Sequence, residues 1–383
     1  MIPYGKQNIT QTDIDAVVDV LHSDWLTQGP KVPEFEQAVA QKCQAKFAVA
    51  THNATSALHI ACLALGVQSN DIVWTSPISF VASANCARYC GAHVDFIDIE
   101  LTTGNISVDA LAQKLAQAKQ QNCLPKVVIV VHLAGLSCDM EAISKLAEIY
   151  NFKLIEDASH AIGATYKNTP VGHCQYSDIC IFSFHPVKII TTAEGGLALT
   201  NQAELAKKMQ RLRSHGITST PEEMSEESHG PWYYQQVELG FNYRMTELQA
   251  ALGLSQLQRL TAVIKKRNQL ANYYNQAFAD TSLTLLTPTK TCVSAYHLYI
   301  VLLPDADPQK HKQAIVQLRA QGICAHVHYI PIHLQPYYQQ LGFKQGDFPQ
   351  AENYYQRAIS LPLYPQLSVS EQDYIIEKVI AVL

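Results

Sequence analysis

The sequence predicts an α/β large domain with a mostly parallel sheet, followed by a smaller α+β domain. Short apolar runs rich in β-branched residues alternate with helical patterns between residues 46 and 200. Such alternation is typical of a parallel sheet covered by helices on both faces. The pattern changes after about residue 240, and a chain of 383 residues is long enough for a second core.

Seven apolar runs are predicted as strands of the large sheet. They are KFAVAT (46–51), DIVWTS (71–76), AHVDFID (92–98), KVVIVVH (126–132), KLIEDA (153–158), ICIFSF (179–184) and GLALT (196–200). Helical windows such as TSALHIACLAL and MEAISKLAEIYN lie between the first five runs. Ligands of such sheets bind outside the carboxyl ends of the strands, so the polar residues directly after each run are the first candidates for a site.

The last third of the chain predicts the smaller domain. A long helical stretch runs from Met245 to about Ala279. It is followed by the strand-like SAYHLYIVLL, the helix PQKHKQAIVQLRAQG, the strand ICAHVHY (323–329) and the final helix SEQDYIIEKVIAVL. We therefore predict a large domain over residues 1–245 and a small domain over 246–383, joined through the long helix. We predict a long, irregular surface loop over residues 218–236. Its aromatic residues also suggest an active-site flap or a contact between subunits.

Composition narrows the functional class. The net charge is −5 and no basic stripe is present, which argues against nucleic-acid binding. No signal-like start is present and the longest apolar run is too short for a membrane span, so we expect a cytoplasmic protein. Ten cysteines without a C-x-x-C pair predict reduced core residues. Cys86 and Cys90 lie one helical turn apart without a further ligand pair, so no metal site is predicted.

Candidate site residues follow the first two strands. THNATSALH places Thr55 at a helix start, where free backbone N–H groups favour a phosphate. Taken alone, an ordinary N-cap on Thr55 or Ser56 explains the pattern better. SPISFVASAN places Phe80 where a flat ring can lie against a planar ligand, and a lone phenylalanine is otherwise a core residue.

Two further strand ends carry charged residues. Glu156 and Asp157 are adjacent as the fifth strand ends, so only one of them should point into a site, and Asp157 is the better placed. The stretch SFHPVKIITTAEGG places Ser183 at the end of a strand and Lys188 in the following turn, among apolar and hydroxyl residues. A lone acid at a strand end is more often a cap or an ion-pair partner, and a lone lysine is usually solvated.

Taken together, the four strand ends describe a pyridoxal phosphate site. A lysine that forms a Schiff base needs partial desolvation to lower its pKa, with hydroxyl and N–H groups near it for a phosphate. A carboxylate such as Asp157 keeps a heterocyclic nitrogen protonated, and Phe80 supplies a flat surface. We therefore predict a cofactor cradle at this edge of the sheet.

The motifs NATSALHIA, TSPISFVASAN, IEDASHAIGA, SFHPVKIITTAEGG and LGFNYRMTELQAALGLSQL together resemble the sugar-nucleotide aminotransferases of the DegT/StrS type. The resemblance runs from YGKQNIT to the final helix. It implies an aspartate aminotransferase-like fold (PLP fold type I), with an N-terminal substrate segment in the large PLP-binding domain. It also implies pyridoxal 5'-phosphate as cofactor, with pyridoxamine 5'-phosphate as the intermediate form.

By this resemblance, Lys188 is the catalytic Schiff-base lysine and proton carrier. Asp157 pairs with the pyridine nitrogen and Phe80 stacks on the ring. The phosphate is held by three residues, Ala54, Thr55 and Ser183.

The resemblance also implies an obligate homodimer, because Asn242 matches an asparagine that reaches the phosphate of the neighbouring subunit. The resemblance also implies that His160 contacts the ring oxygen of the cofactor, at a position where many relatives carry glutamine. His185 receives no role.

Within the family, WLTQGPKVPEFE, NATSAL, SHAIG, RSHGI and AHVHYIPIH are similar to the transaminases of pseudaminic acid biosynthesis. This likeness implies a UDP-linked 4-keto-6-deoxy-N-acetyl-hexose as amino acceptor and L-glutamate as donor. Besides Ala54, Ser183 and Asn242, the implied substrate-binding residues are Tyr4, Trp25, Leu26, Thr27, Gln28, Gly29, His326, Val327, His328 and Tyr329. The resemblance leaves UDP and dTDP sugars open, together with the stereochemistry at carbon 4.

Several alternatives remain beside this interpretation. A deoxygenating dehydratase of the same fold carries histidine at the lysine position, where this chain has Lys188. A ligand sensor without catalysis is disfavoured because the lysine, the acid and the phosphate residues are all present. A nicotinamide dehydrogenase lacks support because no G-x-G-x-x-G follows the first strand.

A cluster of three histidines lies late in the chain, at His326, His328 and His333. We rank contact with the sugar or the nucleotide as its first interpretation, ordinary packing as the second and a metal site as the last.

Overall fold

The structure, a computed structural model, describes residues 1–288 and 291–383. The strands in these ranges are β1 (Phe47–Thr51), β2 (Ile72–Thr75), β3 (His93–Phe96), β4 (Val127–Val131), β5 (Lys153–Asp157), β6 (Thr165–Tyr166), β7 (Thr169–Pro170), β8 (Ile179–Ser183), β9 (Gly196–Thr200), β10 (Ile217–Thr218), β11 (Gln235–Gln236), β12 (Thr284–Leu285), β13 (Cys292–Val293), β14 (Tyr299–Leu302) and β15 (Ala358–Leu361). The helices are α1 (Gln11–Leu21), α2 (Lys31–Cys43), α3 (Ala54–Ala64), α4 (Ala82–Tyr89), α5 (Val108–Gln120), α6 (Met140–Tyr150), α7 (Ala203–Arg213), α8 (Glu247–Gln258), α9 (Leu260–Phe278), α10 (Pro308–Ala320), α11 (Pro336–Gln339), α12 (Pro349–Tyr355) and α13 (Val369–Ala381).

A seven-stranded sheet forms the centre of the larger part of the molecule. Its strand order is β1-β9-β8-β5-β4-β2-β3, and each strand falls within one of the seven predicted runs. The five strands from β8 to β3 are parallel to one another, whereas β9 runs antiparallel to both of its neighbours. The predicted α/β fold with a mostly parallel sheet is therefore confirmed.

The sequence of the central strands explains their burial. β4 has the sequence VVIVV, and every one of its side chains is buried. Helices pack on both faces of the sheet, so a strand at its centre has no solvent-facing side and needs apolar residues throughout. This continuous apolar layer leaves the strand ends as the natural place for polar chemistry.

The reversed strand β9 positions the loop that carries Lys188. Ser183 at the end of β8 pairs with Gly196 at the start of β9. Residues 184–195 therefore leave and re-enter the sheet at one edge. The carboxyl end of β5 lies at that edge too, because β5 and β8 are parallel neighbours.

The C-terminal region is built around a second, smaller sheet of β12, β14 and β15. Helices α9, α10 and α13 pack on it through Leu270, Tyr274, Leu318 and Ile375, which are buried together with Val301 of β14. The predicted strand over 323–329 does not form. His326 pairs with Ser360 as an isolated bridge, after which the chain turns so that the next residues line a cavity.

The long helix predicted after Met245 is two helices, α8 and α9, that meet at Arg259. Arg259 (φ −95°, ψ −2°) is the C-cap of α8 and the N-cap of α9, and its guanidinium binds the buried Asp13 carboxylate of α1 at 2.7 Å. Glu247, the first residue of α8, accepts the backbone N–H of Lys31 (2.6 Å) at the start of α2. These ties connect the N-terminal helices to α8.

The boundary between residues 245 and 246 stays a prediction. Ala250 of α8 belongs to the same buried cluster as Phe35 of α2 and Phe184 beside β8.

The segment over residues 218–236 has little regular structure. It contains the end of β10, a short 3-10 turn and β11, and the side chain of Trp232 is 75% exposed. Within the described ranges, none of the helices has both the length and the apolar character that a membrane crossing requires.

Candidate active site

A cavity of about 570 Å³ lies at the carboxyl edge of the large sheet. It receives residues from the ends of β5 and β8, the start of α3, the loop after β2, the loop over 184–195 and the chain after α10. Its lining includes eleven of the residues that the sequence singled out: Tyr4, Ala54, Thr55, Phe80, Asp157, His160, Ser183, Lys188, His326, His328 and Tyr329. Further lining residues are Asn53, Leu58, Ser79, Ala82, Val131, Ser159, His185, Val187 and Glu194.

The acid of the cavity is Asp157, the last residue of β5. Its side chain is buried and accepts hydrogen bonds from the Ser83 hydroxyl at 2.6 Å and from the Ser159 backbone N–H at 3.1 Å. The preceding residue, Glu156, points to the opposite face, where it binds His132 Nε2 at 2.7 Å. Alternation along the strand thus directs one carboxylate into the cavity and its neighbour into the protein interior.

An anion site lies at the start of α3. Asn53 is the N-cap and its side chain accepts the Ser56 N–H at 2.9 Å, so the cap is neither Thr55 nor Ser56. Ala54 and Thr55 occupy the first turn, whose N–H groups have no acceptor within the helix. These groups and the helix dipole favour a phosphate, and both residues line the cavity.

The second glycine of the EGG sequence makes this cradle possible. A Cβ on Gly196 would lie 2.4 Å from the carbonyl carbon and oxygen of Asn53 and 2.5 Å from the nitrogen of Ala54. β9 therefore passes against the backbone that begins α3, and no side chain fits between them. This contact was not visible in the sequence as more than a turn signal.

Replacing Gly196 with alanine is expected to weaken cofactor binding by about ten-fold or more, because the new Cβ would displace the first turn of α3. Equilibrium titration of the cofactor-free protein, followed by absorbance, measures this change. Gly346→Ala is the control, since its Cβ meets nothing within 4 Å and its φ of +93° adds backbone strain without a steric contact. Equal affinities for the two variants would contradict the expectation.

Lys188 lines the same cavity as the acid and the anion site. Burial lowers the pKa of its amine from an ordinary value of 10.5 to about 8, and the Asp157 carboxylate opposes this shift. The hydroxyls beside it stabilise the loop itself, because Thr191 and Thr192 donate to the carbonyls of Phe184 (2.9 Å) and Glu194 (2.7 Å). They hold the loop in shape instead of serving a ligand.

The lowered pKa predicts when Lys188 reacts. Only the neutral amine is nucleophilic, so acetylation of Lys188 in the cofactor-free protein should reach half of its maximal rate near pH 8. Competitive labelling with acetic anhydride, read out by peptide mass spectrometry, measures this profile. The exposed Lys312 on α10 serves as the internal control. A half-maximum for Lys188 at or above that of Lys312 would contradict the prediction.

His160 and Tyr329 form a hydrogen-bonded pair on one wall. The Ala134 N–H donates to His160 Nδ1 at 3.3 Å, which leaves Nε2 to carry the ring proton toward the Tyr329 hydroxyl at 3.1 Å. Burial, assisted by the positive charge of Lys188, holds the pKa of His160 well below its usual range. Burial likewise raises the pKa of Tyr329. Both groups are therefore neutral near pH 7.

Tyr4, His326 and His328 form the wall on the side of the C-terminal region. The Tyr4 ring lies 5.5 Å and 5.2 Å from the two imidazoles, which stack at 4.7 Å. His328 binds the Ser360 hydroxyl through Nδ1 at 2.8 Å, and burial lowers its pKa to about 3. The third histidine of the sequence cluster, His333, binds Glu352 instead and does not line the cavity.

Some of the predicted substrate residues lie outside this cavity. Trp25 and Leu26 are 55% and 50% exposed, and the chain next to them bridges to the start of α8 at Thr27 and Thr246. A Cβ on Gly29 would lie 2.6 Å from the Trp25 Cβ. The other residues of the prediction that do not line it are Gln28, Val327 and Asn242.

Asn242 is exposed because its neighbours face inward. Phe241 and Tyr243 stack at 4.8 Å and pack on His59 of α3, and the Tyr243 hydroxyl bonds His59 Nδ1 at 3.2 Å. Since side chains alternate along an extended segment, Asn242 points away from its own chain.

Sequence reasoning missed several residues in and behind the cavity wall. Ser83 supports Asp157, and the signal for it was a serine one helical turn beyond Phe80. Ser79 bonds Ser83 at 2.7 Å and extends this support. Glu194 lines the mouth, and the charged residue between two threonines and two glycines was its signal.

The donor set fits pyridoxal 5'-phosphate. An acid, an amine and a cradle of N–H groups converge on one cavity, and a Cβ at Gly196 would disrupt the cradle. Phe80 supplies a ring that is 61% exposed toward this space. The pyridine nitrogen, the aldehyde carbon and the phosphate of the cofactor each have a matching group.

Comparison with known proteins agrees with this chemistry. The model of the DegT/DnrJ/EryC1/StrS aminotransferase family matches residues 7–380. The chain is 38% identical, over all of its length and 98% of the relative, to the UDP-4-amino-4,6-dideoxy-N-acetyl-beta-L-altrosamine transaminase of Campylobacter jejuni serotype O:2. Among solved structures it is similar to Helicobacter pylori PseC, an aminotransferase of pseudoaminic acid biosynthesis, with a TM-score of 0.89, 34% identity and coverage of 100% and 98% of the two chains. The PLP form of the putative sugar aminotransferase Spr1654 from Streptococcus pneumoniae gives a TM-score of 0.90 at 32% identity, covering 100% and 98%.

Proposed function

The chain belongs to the DegT/DnrJ/EryC1/StrS aminotransferase family, and from this premise we propose that it transfers the amino group of L-glutamate to a UDP-linked 4-keto-6-deoxy-N-acetyl-hexose. The product is UDP-4-amino-4,6-dideoxy-N-acetyl-β-L-altrosamine, in pseudaminic acid biosynthesis. The names of the Campylobacter and Helicobacter relatives support this acceptor. The observation that carries the proposal is the convergence of Lys188, Asp157 and the start of α3 on one cavity.

Residues of this chain would hold the cofactor at three points. The N–H groups of Ala54 and Thr55, with the Ser183 hydroxyl, would bind the phosphate. The Asp157 carboxylate would hold a proton on the pyridine nitrogen. Phe80 would cover the ring, and the His160 and Tyr329 pair lies on the cavity wall.

The chemistry depends on the position of Lys188. When bound, pyridoxal 5'-phosphate supplies an electron sink that stabilises negative charge on the carbon that loses a proton. The Lys188 amine, with a pKa of about 8, is a base close to neutrality and suits proton transfer in both directions. It would take the proton from the α carbon of glutamate and later return a proton to carbon 4 of the sugar.

Two histidines and two tyrosines on the cavity walls are neutral near pH 7. His160 and His328 have lowered pKa values and stay neutral near pH 7, so they add no positive charge beside Lys188. Tyr4 and Tyr329 offer neutral hydroxyls, which suit the polar groups of a nucleotide sugar. These two residues, with His326 and His328, are the proposed contacts on the C-terminal side.

We propose that a second copy of the chain completes the site. Asn242 points outward from its own subunit and would bind the phosphate in the neighbouring cavity. Residues 25–29 remain proposed substrate contacts, and the exposure of Trp25 and Leu26 leaves them available to that cavity. The homodimer is therefore part of the proposed function.

A panel of UDP- and dTDP-linked 4-keto sugars, each offered with L-glutamate, tests the proposal. Formation of 2-oxoglutarate measures the transfer, and we expect the UDP-linked 4-keto-6-deoxy-N-acetyl-hexose to be preferred. The altrosamine stereochemistry at carbon 4 is read from the product by NMR. A clear preference for a dTDP sugar would overturn the pseudaminic acid assignment and favour another sugar aminotransferase. A protein that binds the cofactor without any transfer would favour the ligand sensor.

A further inference from the structure

Two residues at the mouth of the cavity have no role in the reaction described above. His185 and Glu194 lie on the loop over 184–195 and both line the cavity. Their side chains are about half exposed, at 47% and 57%. Because they line the same cavity as the proton-carrying Lys188, a substrate that fills this cavity can contact all three residues.

Hydrogen bonds fix the backbone at both positions. The Lys188 N–H donates to the His185 carbonyl at 2.9 Å, which closes a tight turn between these residues. On the other side, the Glu194 carbonyl accepts the Thr192 hydroxyl at 2.7 Å and the Gln249 side-chain amide at 2.6 Å. Ala193, directly before Glu194, has a φ of +66°, a conformation that residues with a side chain rarely adopt. Such strain is a common feature of functional sites.

The side chains of His185 and Glu194 do not form a hydrogen bond with each other. His185 Nε2 and Glu194 Oε1 are 3.9 Å apart, which is beyond hydrogen-bond distance. The Val187 N–H donates to His185 Nδ1 at 3.4 Å, so Nε2 carries the ring proton of the neutral imidazole. The pair therefore presents one donor and one acceptor, at a separation that a single oxygen about 2.8 Å from each can bridge.

The required partner is an atom that both accepts and donates a hydrogen bond, which is a hydroxyl. Glutamate carries only an ammonium group, which donates, and carboxylates, which accept. In a UDP-linked 4-keto-6-deoxy-N-acetyl-hexosamine, carbon 1 carries the nucleotide, carbon 2 the acetamido group, carbon 4 the ketone, carbon 5 the ring oxygen and carbon 6 no oxygen. The one free hydroxyl of the sugar ring is at carbon 3, next to the reacting carbon.

We propose that His185 and Glu194 recognise the carbon 3 hydroxyl of the sugar, with His185 donating to its oxygen and Glu194 accepting its proton. The inference rests on the proposed function and identifies its specificity residues. The two side chains orient carbon 4 over Lys188 and select sugars with a free hydroxyl beside the ketone. They take no part in binding glutamate.

The two half-reactions separate this role from a general one. In single-turnover experiments, amino transfer from glutamate to the bound cofactor and from the bound cofactor to the sugar are followed separately by absorbance. For Glu194→Ala and His185→Ala we expect the sugar half-reaction to lose about 10- to 100-fold in second-order rate constant, as for a hydrogen bond to a charged or partly charged group. The glutamate half-reaction should stay within about two-fold of the wild type, since glutamate does not contact the pair.

Three further measurements complete the test. The double variant should lose little more rate in the sugar half-reaction than the less active of the two single variants, because both residues bind the same oxygen. Glu194→Gln should recover part of the rate, since its amide oxygen still accepts, and Glu148→Ala on the exposed face of α6 is the matched control. An equal loss in both half-reactions would overturn the inference. A wild-type protein that accepts the amino group of glutamate but does not transfer it to this sugar would overturn the proposed function, and the inference with it.

Discussion

Replacing Lys188 with alanine is expected to lower turnover by at least about 10⁴-fold, the upper range of the contribution of a positioned acid or base. The cavity offers no substitute, because burial keeps His160 and His328 neutral and poor proton acceptors near pH 7. His185 lies on the same loop but forms part of the cavity mouth. Formation of 2-oxoglutarate from glutamate and the UDP-linked 4-keto sugar measures the loss.

Two controls distinguish this loss from damage to the fold. Lys312→Ala removes an exposed lysine of α10 and should leave turnover unchanged. A small primary amine added at high concentration should restore part of the turnover of Lys188→Ala, because it can carry the proton through the vacated space. The absorbance of the cofactor bound covalently to Lys188 should be absent from the variant. Turnover within ten-fold of the wild type would show that another group moves the proton.

Replacing Asp157 with asparagine is expected to lower turnover by about 10²- to 10³-fold, which is the usual effect of removing one preorganised electrostatic group. Asparagine keeps the shape of the side chain and can still accept the Ser159 N–H. It removes the negative charge that would hold a proton on the pyridine nitrogen. Steady-state turnover at saturating substrates and the affinity for the cofactor measure the two parts of this effect.

The neighbouring carboxylate provides a matched control. Glu156→Gln removes the same charge one residue earlier on β5, but its side chain binds His132 on the opposite face. We expect that variant to lose about 1 to 3 kcal/mol of unfolding free energy and to keep its turnover. Ser83→Ala, which removes one hydrogen bond from Asp157, should fall between the two in turnover. An Asp157→Asn enzyme as active as Glu156→Gln would contradict the assigned role.

The cavity could be predicted where local signals coincide with strand ends. Asp157 and Ser183 lie at the ends of apolar runs and are the last residues of β5 and β8. Parallel strands bring such residues to one edge whatever the rest of the chain does. Thr55 followed from the same logic, although the N-cap proved to be Asn53. Lys188 became informative only in combination with these residues.

Features that depend on tertiary packing could not be predicted in the same way. The support of Asp157 by Ser83 depends on how α4 sits against β5. The run over 323–329 has strand-like composition, but its pairing with β15 stops after His326, and His328 and Tyr329 line the cavity instead. The helical pattern after Met245 shows no break in composition, and Arg259 interrupts it through its contact with Asp13.

The pairing at the two ends of the loop over 184–195 keeps this loop ordered before any ligand binds. Ser183 and Gly196 are paired neighbours at one sheet edge, and just beyond them the Phe184 N–H donates to the Gly195 carbonyl at 2.8 Å. The conformational entropy of this segment is therefore largely lost when the sheet forms, before any cofactor binds. The amides at the two ends of the loop should accordingly exchange with deuterium as slowly in the empty protein as in the loaded one. Ligand binding then requires little reorganisation of the segment that carries Lys188.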